Sequence, residues 1–209
     1  MKKTVFALSI FAGIILTSCG GGAKTDAPAA DPAAASTPAA PAAPAAAAIT
    51  VTEADWAPTD LKATSNLTPI SLKLPKGVKL EKNGNGGVDA TIGGNYTLVV
   101  YNTAISSVKE GVDGDKKMYV KNDATASTTV DLDEPNGFVY TTVYKGTDGK
   151  TFPAGTHFVY YYEQKGAGGS VFYSVHDEKA SGASAEDAAF TPDLAKKVYG
   201  LVKSSFDKK

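Results

Sequence analysis

Apolar and polar positions first alternate regularly at Ile70-Ser71-Leu72-Lys73-Leu74, where every second side chain is aliphatic and Pro75 ends the run. A period of two sends one face to a core and the other to water, so this stretch predicts a strand, with Gly77 turning the chain into Val78-Lys79-Leu80. Asn83-Gly84-Asn85-Gly86-Gly87 reads as a loop to a strand over 88–92, and Gly93-Gly94-Asn95 as a turn into the next. Tyr96-Thr97-Leu98-Val99-Val100-Tyr101 is apolar, aromatic or β-branched throughout, which predicts a central strand covered on both faces. The period then lengthens. Ile105, Val108 and Val112 recur at three and four, predicting a short helix capped by Asn102 or Thr103 and ended by Gly111 and Gly114.

Two weaker strand patterns follow, over 118–120 and 128–132. Strongly marked turns at Glu134-Pro135-Asn136, Thr147-Asp148-Gly149-Lys150 and Gly166-Ala167-Gly168-Gly169 then separate segments 137–144, 156–164 and 170–176. Short connections make sequential strands neighbours, so these three are expected to form an antiparallel meander. Ser184 with Asp187 has the form of a capping box, and Thr191-Pro192-Asp193 supplies a cap, a first-turn proline and a negative charge. Leu194, Val198, Leu201, Val202 and Phe206 then draw one helical stripe, opposite Lys196, Lys197 and Lys203. This helix is expected to lie across a sheet face with its lysines in water. The fold class is therefore α+β, a largely antiparallel sheet covered by helices with an amphipathic C-terminal helix. Upstream, Trp56 and Leu61 are expected to pack on the domain, while Pro58 argues against a helix between them.

The N-terminal fifth has a different pattern. Lys2 and Lys3 precede an apolar run at 5–16, too short for a permanent span, which needs about 20 residues, and it ends in Leu16-Thr17-Ser18-Cys19. Residues 20–48 are alanine, glycine and a few polar side chains, interrupted by Pro28, Pro32, Pro38, Pro41 and Pro44, which exclude a continuous helix. Such a segment is a disordered tether, able to extend to roughly 90 Å at about 3.1 Å per residue. The expected organisation is a signal peptide over 1–18, Cys19 and its tether over 19–48, and one domain over 49–209, an ordinary domain length.

The ending Leu16-Thr17-Ser18-Cys19 resembles the lipobox of bacterial lipoproteins. The resemblance implies lipid transfer to the Cys19 thiol, cleavage before it and acylation of the new amino terminus. It also implies a lipid-anchored place in the bacterial cell envelope. Gly20 follows the cysteine in place of the aspartate that retains such lipoproteins at the inner membrane, which implies the outer membrane facing the periplasm. In the domain, Ile70-Ser71-Leu72-Lys73-Leu74-Pro75-Lys76-Gly77-Val78, the many strands and the closing helix ending in Ser204-Ser205-Phe206 resemble the PsbP/Mog1-like group. That resemblance implies an antiparallel sheet sandwiched by helices and a binding or assembly role.

Composition narrows the chemistry. Cleavage before Cys19 removes Lys2 and Lys3 of the 21 basic residues, leaving 191 residues with 19 basic side chains against 22 acidic ones, a net charge of −3. This gives no electrostatic reason to bind nucleic acid. Every basic residue is lysine, so the bidentate fork suited to phosphate or carboxylate is missing. With Cys19 the single cysteine, the mature chain has no disulfide and no thiol redox pair.

His157 and His176 fall near the edges of adjacent predicted strands, with Asp177 and Glu178 beside the second. A His/His/carboxylate metal site is conceivable, but no ligand spacing forces convergence, and two solvent-facing histidines at strand ends are the expectation. Asp113-Gly114-Asp115 and Asp131-Leu132-Asp133-Glu134 lack the rest of a calcium-loop pattern and read as solvated turns. The glycine loops at 84–87 and 166–169 lack a following helix N-terminus and read as hairpin connections, not phosphate cradles. No Gly-x-Ser-x-Gly elbow occurs. Among the ten tyrosines, Tyr140, Tyr160, Tyr162 and Tyr173 fall on neighbouring predicted strands and are candidates for a ligand or partner surface, although tyrosine also simply suits strands. The expected function is that of a membrane-anchored envelope lipoprotein whose non-catalytic domain binds an envelope protein or a small ligand, without a cofactor. The alternative is an envelope hydrolase with His157 or His176 as base.

Overall fold

A computed structural model describes residues 49–94, 96–151, 155–179 and 190–207. These all belong to one unit, Ala43–Lys209. The signal peptide, Cys19, the tether and the Ser184/Asp187 capping box lie outside the described residues.

The chain opens with β1 (Trp56–Asp60) and β2 (Ser71–Pro75), a two-stranded antiparallel hairpin in which Pro58 stands opposite Lys73. Pro58 is tolerated because a two-stranded sheet leaves one side of each strand unpaired. Seven further strands make one antiparallel sheet. They are β3 (Lys79–Lys82), β4 (Val88–Gly93), β5 (Tyr96–Thr103), β6 (Ala126–Glu134), β7 (Gly137–Tyr144), β8 (Gly155–Gly166) and β9 (Gly169–Lys179), in the spatial order β3-β4-β5-β9-β8-β7-β6. The expected meander is present as β7-β8-β9, and β5, buried from Tyr96 to Val100, occupies the third place. Among the described residues two α-helices complete the fold, α1 (Val108–Tyr119) and α2 (Pro192–Phe206), with one 3-10 turn at Glu53–Asp55. An α+β fold with a mostly antiparallel sheet is thus what this sequence forms.

Period-two alternation divides the sheet's side chains between two cores. On one face Val88, Leu98, Val100, Val139, Phe158 and Val175 meet Leu72 and Leu74 of β2 and the α2 stripe Leu194, Val198, Leu201 and Val202. On the other, Phe138, Tyr140, Val159 and Tyr161 pack with Val112 of α1. The hairpin β1-β2 is tied to α2 by its polar end: Lys73 N–H donates to Ser205 Oγ at 2.9 Å and its Nζ to Ser204 Oγ at 2.9 Å.

Helix α2 follows its sequence closely, with Thr191 Oγ1 accepting from Leu194 N–H at 3.3 Å and Pro192 in the first turn. Its lysines lie in water, Lys203 only partly, and two of them also bond back to the domain. Lys203 reaches both oxygens of Glu134 at 2.8 Å, and Lys197 donates to the Val51 carbonyl. Lys203 is the main reason the Glu134 carboxyl is held below its usual range.

Helix α1 departs further from its pattern. Its cap is Ser107, whose side chain accepts from Glu110 N–H, while Glu110 accepts from Ser106 N–H at 2.7 Å. Ser107-Val108-Lys109-Glu110 thus has the spacing of a capping box, but the return bond goes to Ser106, one residue before the cap. Neither Gly111 nor Gly114 ends the helix, which continues to Tyr119 and absorbs the strand expected at 118–120. Gly111 serves a different need: a Cβ there would stand 2.5 Å from the Tyr161 ring, so glycine lets α1 approach the sheet.

If α2 is a structural layer, substitutions along its stripe should destabilise the domain in order of burial. Val198 is fully buried and Phe206 partly so, stacked 4.0 Å from the Tyr162 ring. Phe206→Ala should cost somewhat less than the roughly 3 to 5 kcal/mol of a buried phenylalanine, and Val198→Asp more, by burying an unpaired charge. Urea denaturation measures both, and wild-type midpoints for the two variants would mean that α2 is undocked.

Candidate functional site

Strands β8 and β9 pair from Gly166↔Gly169 as far as Val159↔His176 and then separate. The next three residues of β9, Asp177 to Lys179, stay with β5, opposite Leu98, Thr97 and Tyr96. The start of β8 stays with β7, as far as Thr142↔Gly155. Two β8 amides that would have bonded to β9 thereby lose their ladder partners, and buried amides must find others. Phe158 N–H donates to Asp177 Oδ1 at 2.8 Å, and Thr156 N–H to the Phe190 carbonyl at 2.9 Å. The second Asp177 oxygen accepts from the Tyr96 hydroxyl at 3.0 Å. A side chain thus stands where the sheet would have placed a carbonyl, and the two strands fork.

At the mouth of this fork, on the α1 face, lies a pocket of about 640 Å³. His157, Asp177 and Glu178 come from the two prongs, Tyr140, Thr142 and Tyr144 from β7, and Met118 and Tyr119 from the end of α1. Tyr119 stacks on Tyr140 with centroids 5.3 Å apart and planes 16° apart, and Tyr140 lies 5.9 Å from the His157 ring. His157 Nδ1 is 3.5 Å from Asp177 Oδ1, and its ring lies 4.6 Å from that of Phe190.

His176 lines the same pocket with a different carboxylate behind it. Its Nε2 is 4.0 Å from Asp115 Oδ2, too far for a hydrogen bond, and that oxygen is taken by the Tyr161 hydroxyl at 2.7 Å. Two opposed influences act on the imidazole. Burial lowers its pKa and outweighs the attraction of Asp115 and Asp177, so His176 is neutral at pH 7. Burial first and Asp115 second push the Tyr161 hydroxyl up, which keeps it a donor.

The structure brings together residues that the sequence left apart. His157 and His176 do not face solvent from strand ends: their side chains are 28% and 15% exposed and share one pocket. Among the described residues no three histidine, cysteine or acidic side chains are placed to hold a metal ion. Asp115, expected in a solvated turn, is buried within α1. In the second acidic run, Asp131 accepts from Thr141, Asp133 pairs with Lys116 and Glu134 with Lys203.

The four candidate tyrosines do not make one surface. Tyr140 belongs to the α1 face and the pocket, whereas Tyr160, Tyr162 and Tyr173 lie on the opposite face, where Tyr160 and Tyr162 stack on Phe206. Tyr160 is 4% and Tyr173 1% exposed, so their burial makes them packing residues. Tyr160 and Tyr162 also border a shallower depression of about 590 Å³ beside Lys203 and Asp207. Sequence reasoning missed Asp115, Met118 and Tyr119. The available signal was the spacing Val108, Val112, Asp115, Tyr119, a helical stripe that runs through both glycines.

No family model, curated protein or solved structure matches this chain.

The neutral His176 predicts a pH dependence. Its folded pKa lies below the ordinary value of 6.5, so the unfolded chain binds a proton that the folded chain refuses. Its contribution to stability is complete above that value and declines as pH falls below it. Glu178, raised from 4.5, acts with the opposite sign, favouring the folded state at low pH and losing that effect as pH rises. Thermal unfolding at about pH 7.5 and about pH 5.5 isolates the histidine when wild type is compared with His176→Gln. The wild-type midpoint should fall by more between the two conditions than the variant's. Equal falls would contradict a buried neutral His176.

Proposed function

We propose that this protein is a lipid-anchored lipoprotein of the bacterial cell envelope, held at the outer membrane by acylated Cys19, whose α+β domain is a non-catalytic binding module. The address rests on Lys2, Lys3, the apolar run and Leu16-Thr17-Ser18-Cys19. Two or more acyl chains give stable membrane attachment where one does not. The proline-broken segment at 20–48 is the tether that carries the domain away from the bilayer. The resemblance of the 70–78 stretch and the closing Ser204-Ser205-Phe206 to the PsbP/Mog1-like group favours binding or assembly.

The observation that carries the binding reading is the pocket at the fork. Tyr119, Tyr140, Tyr144 and Phe158 give it aromatic walls, a few polar groups converge in it, and its volume suits a small molecule. Its mouth is flanked by Met118 and Tyr144, which are 55% and 56% exposed. Large apolar side chains left in water beside a concave site mark a surface that a ligand covers.

A second reading, hydrolysis with a histidine base, draws on the approach of His157 Nδ1 to Asp177, an arrangement that orients an imidazole in hydrolases. Against it, both Asp177 oxygens already serve Phe158 N–H and the Tyr96 hydroxyl.

Two experiments test these readings. Cys19→Ala should abolish labelling by a radioactive fatty acid and leave an uncleaved or soluble chain; normal labelling would end the lipoprotein reading. A fragment library titrated into the soluble Cys19→Ala chain, followed by amide chemical shifts, should give hits that cluster on Tyr119, Tyr140, His157 and His176. Hits confined to other surfaces would remove the pocket from the account, and turnover of an ester panel abolished by His157→Ala would favour the hydrolase.

A further inference from the structure

The charges around the pocket specify what it can hold. Asp177 and Glu178 are in its lining, Asp115 lies behind His176, and Asp89 stands opposite Val99, the residue of β5 that faces His176. In return the lining offers one lysine, Lys121, exposed at its edge. The groups within report the excess. The Glu178 carboxyl is pushed up first by desolvation on its shielded side and then by Asp89 and Asp177, with His157 easing it only in part. Desolvation and then Asp115 and Glu178 raise the Tyr119 hydroxyl; desolvation and then Asp177 raise that of Tyr140. A region where several acids raise one another's neighbours is one of negative potential awaiting a positive charge.

The aromatic walls favour the same sign. The negative face of a tyrosine ring attracts a cation within about 6 Å, and desolvated aromatic sites recognise ammonium groups in this way. Met118 and Tyr144 at the mouth add an apolar shelf. Among the described residues only Leu67 and Val171 are comparably exposed large hydrophobic side chains, and neither lines this pocket.

We infer that the pocket binds a small organic cation, an ammonium group on an apolar or aromatic body. The ammonium sits against Glu178, with the buried Asp177 carboxylate behind it adding to the field, and the body lies along the Tyr119–Tyr140 stack and beneath Met118 and Tyr144. This inference rests on the pocket being a ligand site and adds the sign and shape of the ligand.

The test uses three probes that share one ring: benzylammonium, benzyl alcohol and benzoate. Each is titrated into the mature chain carrying Cys19→Ala, with amide shifts and calorimetry as readouts. Benzylammonium should perturb Tyr119, Tyr140 and Glu178 and bind about tenfold or more tightly than benzyl alcohol, the ratio corresponding to about 1.4 kcal/mol. Benzoate should be the weakest. Glu178→Gln, at a partly exposed position and so expected to fold normally, should remove most of the preference for the cation without abolishing contact of the ring with the tyrosines. Glu163→Gln, outside this pocket, should leave the preference intact. Equal binding of the alcohol, or tighter binding of benzoate, would overturn the cation inference while leaving the pocket as a ligand site. If no probe perturbs any pocket residue, the ligand site and the inference fall together.

Discussion

The Asp177 carboxylate sets the form of the forked end of this domain's sheet. An antiparallel ladder is self-propagating, because each paired residue presents the next donor and acceptor, and separating two strands midway leaves buried groups without partners. Here the cost is offset by one side chain that accepts from the Phe158 amide across the gap and from the Tyr96 hydroxyl behind it. With those groups satisfied, β9 can remain with β5 and β8 with β7. The space between the prongs becomes the pocket, and His157 and Glu178, opposite each other had the ladder continued, become its walls.

The remaining structure supports this opening from both sides. Beneath the sheet, α2 and the β1-β2 hairpin bury a continuous aliphatic and aromatic layer. Phe190, just before α2, reaches into the fork, its carbonyl receiving Thr156 N–H and its ring lying beside those of His157 and Tyr96. Above the sheet α1 contributes little apolar area but places Asp115 against Tyr161 and delivers Met118 and Tyr119 to the pocket. The two helices thus have different tasks: one seals a core, and the other builds a wall.

The difference explains what was legible in the sequence. The α2 stripe, its Thr191 cap and the β7-β8-β9 meander are local patterns, and each formed as its pattern dictates. Helix α1 runs past the end its pattern predicts: Gly111 and Gly114 usually stop a helix, whereas here Gly111 answers a tertiary need, the close approach to Tyr161. The extension of that helix carried Asp115 and Tyr119 into the site. The histidines stand out in the sequence, but their burial depends on the fork, and nothing in the residues around 155–159 or 176–179 announces that two adjacent strands will part. Tyrosine composition was the least informative signal, since Tyr140 lines the pocket while Tyr160 and Tyr173 do core packing with the same propensity for strands.

The fork is tested most directly at the Phe158 amide, by hydrogen exchange in the wild type and in Asp177→Ala. A hydrogen bond to a charged acceptor is worth about 1.5 to 3 kcal/mol, so its loss should accelerate exchange at Phe158 by about tenfold to a hundredfold. Val175 and Tyr160, which pair with each other in the intact ladder, should keep their protection. Unchanged protection at Phe158 in the variant would show that the strands part without Asp177, and would contradict this account of how the pocket is made.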